Sequence, residues 1–600
     1  ETFEKRNVSR RRNKGGKVNS IRDGGRQRGK SSFLNDYFLV ITFIFAVFLL
    51  VWSNRFHNHD GLSVNQLEMT RMKESFLSSS SSSLGKATAK TRKGTTNQHD
   101  HRLAGLKCDQ WGGPSFDAAQ EMVYWEDIPS DQNYLSPFHP KAPSDDGASE
   151  LRIDQFVTFE PDGGGWNNIR MSMETLLAIS FNMGRTLVLP PHQKMYLLAK
   201  REKQQRSEFS FEHFFHMESI SREHIGFNVI SMDEFLQLFM DGRFKHPETG
   251  MPVFPPNNRT DWNGVEGPER NILKDWLRES SKVLQWLPDS CMAAFPRTNT
   301  AEAMEELENL EQEIFKEGIP NYEDYVGKPV PVDSSAKERL KENLAGRNKL
   351  CLYDTELQQE PWIHFPVSHQ GEYKARMLVH FYAFLFFADW KADLWTKRFV
   401  RDHVRYVDEI QCAAARVVHA IRTKHDANFD TMHVRRGDFQ YKNTRVDIDK
   451  IYGAISQHIH ENSTIYIATD ERDKSFFAPL KKHYKILYLD DFLKDLGDIN
   501  TNFYGMIDQL IASRGRTFFG CWFSTFTGYI NRLRGYHADD HQTPGYEDGI
   551  IPSYYYTLED RYDHMREFWP VKRAFYAREF PTSWRLIDTG VEEDIARPDT

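Results

Sequence analysis

The residues of this 600-residue sequence best suited to chemistry lie in the run Thr431–Asp438, which reads Thr-Met-His433-Val-Arg435-Arg436-Gly437-Asp438. Upstream, Ala413–Lys424 has helical periodicity without proline or glycine, and Phe429–Val434 reads as a short strand. A strand that ends in two arginines, a glycine and an aspartate puts fixed positive charge at the carboxyl edge of a sheet. In open α/β sheets that edge binds ligands. Guanidinium groups stay charged and offer forked donors, so the pair suits a diphosphate. Gly437 would let the backbone approach it closely. A surface Arg–Asp salt bridge is the competing reading, and the elements around the run decide between the two.

Those elements alternate. Ile451–His460 reads as helix, and Thr464–Ala468 as a strand ending in Thr469-Asp470-Glu471. Lys474–Tyr484 reads as helix, Lys485–Leu489 as strand, Asn502–Arg514 as helix and Thr517–Gly520 as strand. Ser524–Leu533 then opens a further helix from Ser524-Thr525-Phe526. Three strands therefore end in ligand-type residues: His433 with Arg435, Asp470, and Ser524 with Thr525. This repetition favours the active-edge reading. Ser524 and Thr525 would serve either as helix caps or as hydroxyl and amide donors to phosphate oxygens.

An earlier stretch repeats the logic. Gln155–Glu160 is a strand candidate, followed by Pro161-Asp162-Gly163-Gly164-Gly165-Trp166-Asn167-Asn168. Ile169–Met183 has helical spacing and closes at Gly184, and Arg185–Pro191 is a second strand. Strand, glycine-rich turn, helix and strand make a βαβ unit and imply a parallel sheet. Between the two regions, Phe209–Phe215 reads as core and the acidic run Ala301–Lys316 as a solvated helix. Met377–Trp390, about fourteen apolar residues flanked by lysines, reads as a buried helix too short to span a bilayer.

Taken in order, Gly-Gly-Gly-Trp-Asn-Asn, His433-Val-Arg435-Arg436-Gly-Asp438, Ala-Thr-Asp470-Glu and Ser524-Thr525-Phe526 resemble the O-fucosyltransferase superfamily, most of all its plant-type members. The resemblance covers roughly residues 150–540 and implies an α/β, GT-B-like fold: two Rossmann-like lobes with a ligand cleft between them. It implies GDP-fucose as donor substrate, no further cofactor, and a protein or polysaccharide acceptor. On this basis His433, Arg435, Arg436 and Asp438 would meet the donor, with Arg435 on the diphosphate. Asp470 would face the guanine or ribose, and Ser524, Thr525 and Phe526 would hold phosphates and base. Gly164, Gly165 and Asn167 would line the cleft from the first lobe. Some family members place a glutamate in the glycine turn as general base, where this sequence has glycine. Glu160 or Asp162 would then serve as the catalytic base, or no side chain does. Related plant-type sequences are also assigned UDP-rhamnose, which stays open as an alternative donor.

Composition is that of a globular protein, with 39% hydrophobic and 13% aromatic residues and a net charge of −8. Between Lys5 and Lys30, however, there are eleven Lys/Arg and one acid, Asp23. The rest is correspondingly acidic, which argues against a nucleic-acid-binding body. Tyr37–Trp52 is uncharged for sixteen residues, and Ser53 and Asn54 extend it. The basic arm places the N-terminus in the cytoplasm, giving a single-pass, type II anchor with a lumenal body; by analogy with other short-tailed, stalked enzymes, the expected membrane is that of the Golgi. Six serines at Ser78–Ser83 mark a disordered stalk. The division is a tail at 1–36, a transmembrane anchor at 37–54, stalk and linker at 55–148, a first lobe with insertions at 149–400, a second lobe at 401–545, and an extension at 546–600 that packs back on the body. Two sequons, Asn258-Arg-Thr260 and Asn462-Ser-Thr464, fit a secretory-pathway body. The sequence starts at Glu1, not at methionine, which leaves room for a trimmed start.

The five cysteines form no Cys-x-x-Cys pair, so one or two disulfides remain open, with an odd thiol left over. Asp447-Ile-Asp449 fits an Asp-x-Asp metal string, but acids are favoured at a helix start in any case, and no metal is expected. His537-Ala-Asp-Asp-His541 reads as solvated loop histidines between Gly535 and Pro544. A non-catalytic lumenal scaffold that binds glycan or nucleotide is the reading that competes with an enzyme.

Overall fold

The computed structural model describes residues 105–141, 155–195, 198, 208–245, 249–318, 330–331, 333–344, 347–367, 376–437, 439–541 and 552–557, together with Glu579, Trp584, Ile587 and Asp588. The basic arm, the Tyr37–Trp52 span and the serine run lie outside these residues, as does Asp438. Among the described residues no helix is long and apolar enough to cross a membrane.

The first lobe is built on β1 (Phe156–Phe159), α1 (Trp166–Asn182) and β2 (Thr186–Leu189). β1 and β2 pair in parallel, as the βαβ pattern requires. Gly184 ends α1 with a left-handed φ of 65°. A Cβ there would stand 2.4 Å from the His139 Cα, so glycine is needed for both its conformation and its size. With β3 (Val229–Ser231), helix α2 (Pro268–Ser280), β4 (Lys282–Val283) and β7 (Trp362–Phe365), the lobe forms a five-stranded sheet of order β3-β2-β1-β7-β4, parallel throughout. A second, three-stranded parallel sheet of β5 (Cys291–Phe295), β6 (Lys349–Leu352) and β8 (Leu385–Phe387) occupies the segment in which the sequence is least legible.

Met377–Trp390 is therefore not a helix: it is a short 3₁₀ turn, Phe381–Ala383, followed by β8. A run apolar on every side has no period, and here the aromatic residues settle it towards a strand buried on both faces. Ala301–Glu317 is helical as expected, but Met304, Leu307 and Ile314 bury one stripe of it.

In the second lobe, α3 (Asp408–Lys424) leads into β9 (Asp430–Val434), followed by β10 (Thr464–Thr469), β11 (Lys485–Leu487), α4 (Tyr504–Ser513), β12 (Phe518–Gly520), α5 (Thr525–His541) and β13 (Ser553–Tyr555). The sheet has order β11-β10-β9-β12-β13, again all parallel. Strand order reverses between β9 and β12, and such a switch point opens a crevice at the carboxyl edge. Lys474–Tyr484 is not one helix but two 3₁₀ turns, Lys474–Phe477 and Leu480–Lys482, with Pro479 between them. His537 lies within α5, not in a loop, and is buried, because Gly535 is tolerated inside the helix.

The lobes share one core. A continuous cluster of buried apolar side chains runs from Phe159 and Leu176 through Tyr406 and Val417 to Leu510 and Leu533. Residues 105–141, assigned to stalk and linker from sequence, add Leu106, Met122 and Tyr124 to this cluster and belong to the body. A disulfide joins Cys108 to Cys412 on α3, and another joins Cys291 on β5 to Cys351 on β6, leaving Cys521 as a buried free thiol.

Candidate active site

The carboxyl edges of the two large sheets border a cleft of about 450 Å³, lined by residues of both lobes. From the first lobe come Gly165, Trp166, Asn167 and Asn168; from the second come Arg435, Ser524, Thr525 and Phe526, with an aromatic flank of Phe439, Tyr441 and Phe523. Gly165 is the N-cap of α1, so the turn after β1 presents that helix's N-terminus to the cleft. The loop after β12 likewise leads into α5. Two helix N-termini and one guanidinium thus converge on a single volume, an arrangement that attracts anions.

Hydrogen bonds cross between the lobes at this point. Gln509 Nε2 donates to Asn167 Oδ1 at 2.9 Å, and Thr525 Oγ1 donates to Asn168 Oδ1 at 3.2 Å. Gln509 is fully buried and also accepts from the Tyr406 hydroxyl at 3.0 Å, and that hydroxyl accepts from the Trp166 indole at 3.3 Å. The two asparagines are therefore held across the lobe boundary.

Arg435 is oriented by Asp470, whose Oδ2 lies 2.7 Å from the guanidinium. The other oxygen of Asp470 accepts the Arg436 amide at 2.7 Å. A Cβ on Gly437 would come within 2.4 Å of Asp470 Oδ2, so glycine here makes room for that carboxylate and not, as the spacing suggested, for a ligand. Asp470 is accordingly a clamp on the arginine loop and does not line the cleft. Arg436 turns away: it bonds Glu471 at 3.1 Å and the Val446 carbonyl at 2.9 Å and stacks 3.8 Å over Phe476. Arg435 is thus both the cleft arginine and one half of an Arg–Asp ion pair, while Arg436 pairs with Glu471 away from the cleft.

His433 lies under Phe526, with ring centroids 4.3 Å apart, and its Nδ1 is 2.8 Å from the Thr527 hydroxyl. Burial, helped by the charge of Arg435, pushes its pKa down to about 3, so the ring is neutral at working pH. It supports Phe526 from behind the cleft wall.

Neither candidate base reaches the cleft. Glu160 is 2% exposed and pairs with Arg278 at 2.6 Å, with Lys274 and His364 each 3.4 Å away. Burial alone would raise its pKa, but His364, Lys274 and Arg278 outweigh it and hold the carboxyl below its usual range. Asp162 is gripped by Arg376 through two bonds of 2.8 and 2.7 Å and accepts the Gly164 amide at 2.7 Å. It shapes the glycine turn. A Cβ on Gly164 would meet Asp162 and Asn168 within 2.8 Å, so Gly164 serves the turn's packing while Gly165 faces the cleft. The partners that decide these roles lie more than a hundred residues away in sequence, beyond the reach of local pattern.

Sequence reasoning missed the Tyr441–Phe523 pair, stacked at 4.6 Å. Phe523 has a φ of 65°, a left-handed conformation that is costly for an aromatic residue. It also missed a buried charge cluster behind the cleft. Glu174 of α1 pairs with Arg170 and with Arg532 of α5, and Arg532 pairs in turn with Glu579. Burial alone would raise the Glu579 carboxyl, but Arg532 and His380 outweigh it and hold it at about 2. Asp447 and Asp449 sit at the N-cap and in the first turn of the helix Ile448–Ile455, as expected of acids at a helix start. Among the described residues no group of three or more His, Cys, Asp and Glu side chains is placed to hold a metal ion.

Two parallel α/β lobes meeting at a cleft that holds an arginine and two helix N-termini define a two-lobed α/β protein of Rossmann-like build. The chain belongs to the GDP-fucose protein O-fucosyltransferase family, which matches it over residues 156–537, and it is a glycosyltransferase. Among solved structures, it is similar to the fucosyltransferase NodZ from Bradyrhizobium, at 14% identity over 64% of this chain and 94% of that one, with a TM-score of 0.31. It is also similar to POFUT1 in complex with GDP, at 12% identity over 68% of this chain and 99% of that one, with a TM-score of 0.30. No curated protein matches the sequence.

Proposed function

We propose that the chain transfers fucose from GDP-fucose to a hydroxyl of a protein or glycan acceptor, with inversion at the anomeric carbon and without a metal ion. The observation that carries this reading is the placement of Arg435 beside Ser524 and Thr525, at the N-terminus of α5, in a cleft bordered by both lobes. The acceptor oxygen bonds to the anomeric carbon as the bond to the β-phosphate breaks, and the electron pair goes to the phosphate. A guanidinium and helix amides aimed at that oxygen hold it more tightly in the transition state than in the ground state, which accelerates the step. They supply the charge that a divalent ion supplies in other transferases.

No carboxylate or imidazole is among the described residues that line the cleft. We place the acceptor proton on solvent water, released as the departing diphosphate leads. A lumenal, Golgi-membrane setting behind an N-terminal anchor suits the reading. So do the two disulfides, and so do the sequon residues Asn258 and Asn462, both exposed on left-handed turns with φ of 53° and 68°.

The test is calorimetric titration of the solubilised full chain with GDP, GDP-fucose, UDP and UDP-rhamnose, in EDTA, alongside Arg435→Ala. Guanine-selective binding that is weakened but still measurable in the variant supports the proposal, with turnover falling about 10²–10³-fold for one lost charge-assisted donor. Uridine selectivity would replace the donor sugar, and no nucleotide binding would leave a scaffold.

A further inference from the structure

The two loops that bracket the proposed diphosphate site are fastened by one short segment that comes much later in the chain. β13 lies parallel to β12, with Ser553 opposite Phe518 and Tyr555 opposite Gly520. Its exit is fixed by the Tyr556 amide, which donates to the Gly520 carbonyl at 3.2 Å. The next two side chains then reach in opposite directions along the carboxyl edge. The Tyr556 hydroxyl accepts the Arg435 amide at 3.3 Å, in the loop after β9. The Thr557 hydroxyl accepts the Trp522 amide at 2.9 Å, in the loop that leads to Ser524 and Thr525. Both side chains are buried, Tyr556 at 4% exposure and Thr557 at 0%.

The segment is itself anchored from the site side. Arg534, buried on α5, donates to the Ser553 hydroxyl at 2.9 Å and to the Pro552 carbonyl at 3.0 Å. The helix whose N-terminus faces the cleft therefore holds the strand that in turn holds both loops. β9 and β12 flank the switch point of the sheet, so the distance between their loops is the width of the anion site. Tyr556 and Thr557, adjacent in sequence, fix that width. They also lie outside residues 156–537, the part of the chain that carries the family match.

We propose that Tyr556 and Thr557 are positioning residues of the donor site, setting the Arg435 loop and the Trp522–Thr525 loop at the separation a nucleoside diphosphate requires. The inference rests on the donor-site reading given above. Removing either hydroxyl takes an acceptor from a loop amide, half-buried at Arg435 and fully buried at Trp522, and the loop moves to find another. Catalytic groups tolerate little such movement.

The experiment titrates GDP into the full chain as wild type, Tyr556→Phe, Thr557→Val and Thr557→Ser, with Tyr556→Phe repeated in an Arg435→Ala background. Thermal melts accompany each variant. We expect Tyr556→Phe and Thr557→Val each to weaken GDP binding about five- to tenfold, Thr557→Ser to retain it, and melting temperatures to stay within a few degrees. In the Arg435→Ala background Tyr556→Phe should add almost nothing, because its effect runs through that arginine's loop. Wild-type affinity in both Tyr556→Phe and Thr557→Val overturns the proposal. So does a Tyr556→Phe loss that persists in full without the Arg435 side chain, since that marks a general structural role. Failure of the wild type to bind GDP removes the donor-site reading and this inference together. Each single, near-isosteric variant carries the test should a combination not fold.

Discussion

Glu160→Gln separates a structural carboxylate from a catalytic one. The substitution keeps shape and removes charge at a side chain that is 2% exposed. It breaks the ion pair with Arg278 at 2.6 Å and weakens both the pair with Lys274 and the hydrogen bond with the His364 ring, each at 3.4 Å. Breaking a fully buried pair costs about 3–5 kcal/mol. Here the cationic partners have an outlet, since the Arg278 and Lys274 side chains keep 20% and 31% exposure and can turn to water. The expected loss is therefore about 1–3 kcal/mol, a drop of a few degrees in melting temperature for a body of this size. The carboxyl is held below its usual value, so its contribution is complete above about pH 4.5 and is lost as pH falls through the lowered folded value. The gap between wild type and variant should close in that acidic range. The activity assay is slow hydrolysis of GDP-fucose, in which water replaces the acceptor. Loss of a general base costs about 10²–10⁴-fold, whereas we expect Glu160→Gln to stay within about twofold of wild type. A variant that melts like the wild type but loses a hundredfold in turnover would refute the reasoning and restore Glu160 as the base.

Gly437→Ala should weaken GDP binding by about tenfold or more, because its Cβ would stand 2.4 Å from Asp470 Oδ2 and force apart the clamp on Arg435; unchanged affinity in titration would show that the clamp is dispensable. His433 and His224 are both pushed down to about 3, chiefly by burial, so the unfolded chain takes up their protons first. Stability should then fall as pH drops from about 6.5 towards 3, by up to about 1.4 kcal/mol per histidine per pH unit, and melts at pH 7 and pH 5 that coincide would contradict it. Cys108→Ser should lower stability by about 2–5 kcal/mol, since the bond closes a loop of 304 residues in separation; chemical denaturation with and without reductant reads this directly.

Much of the frame is legible because its signals are local. The glycine-rich turn, the helix closing at Gly184 and the three strands ending in polar residues all follow from spacing. What fails is what depends on partners. Nothing around Arg435 and Arg436 says which one faces the cleft, because Asp470, Glu471 and Phe476 make that choice from another strand end. Glu160 and Asp162 resemble free carboxylates beside a glycine turn until Arg278 and Arg376 are seen to hold them. Met377–Trp390 has no hydrophobic period to read, and the left-handed Phe523 carries no glycine or asparagine to announce it. Cysteine pairing and the return of Tyr556 to the Arg435 loop are properties of the closed fold alone.

The Cys108–Cys412 bond also sets a path for mechanical force. Tension applied from the N-terminal side of the body enters at Cys108 and crosses covalently to α3, leaving residues 109–411 in a closed loop that bears none of it. The first lobe, with β1, its glycine turn and α1, lies wholly within that loop. A pull on whatever precedes residue 108 is thus delivered to the second lobe's helix, and the cleft wall carrying Gly165, Asn167 and Asn168 is shielded from being peeled strand by strand. Reduction of a single bond would reroute the same load straight through β1.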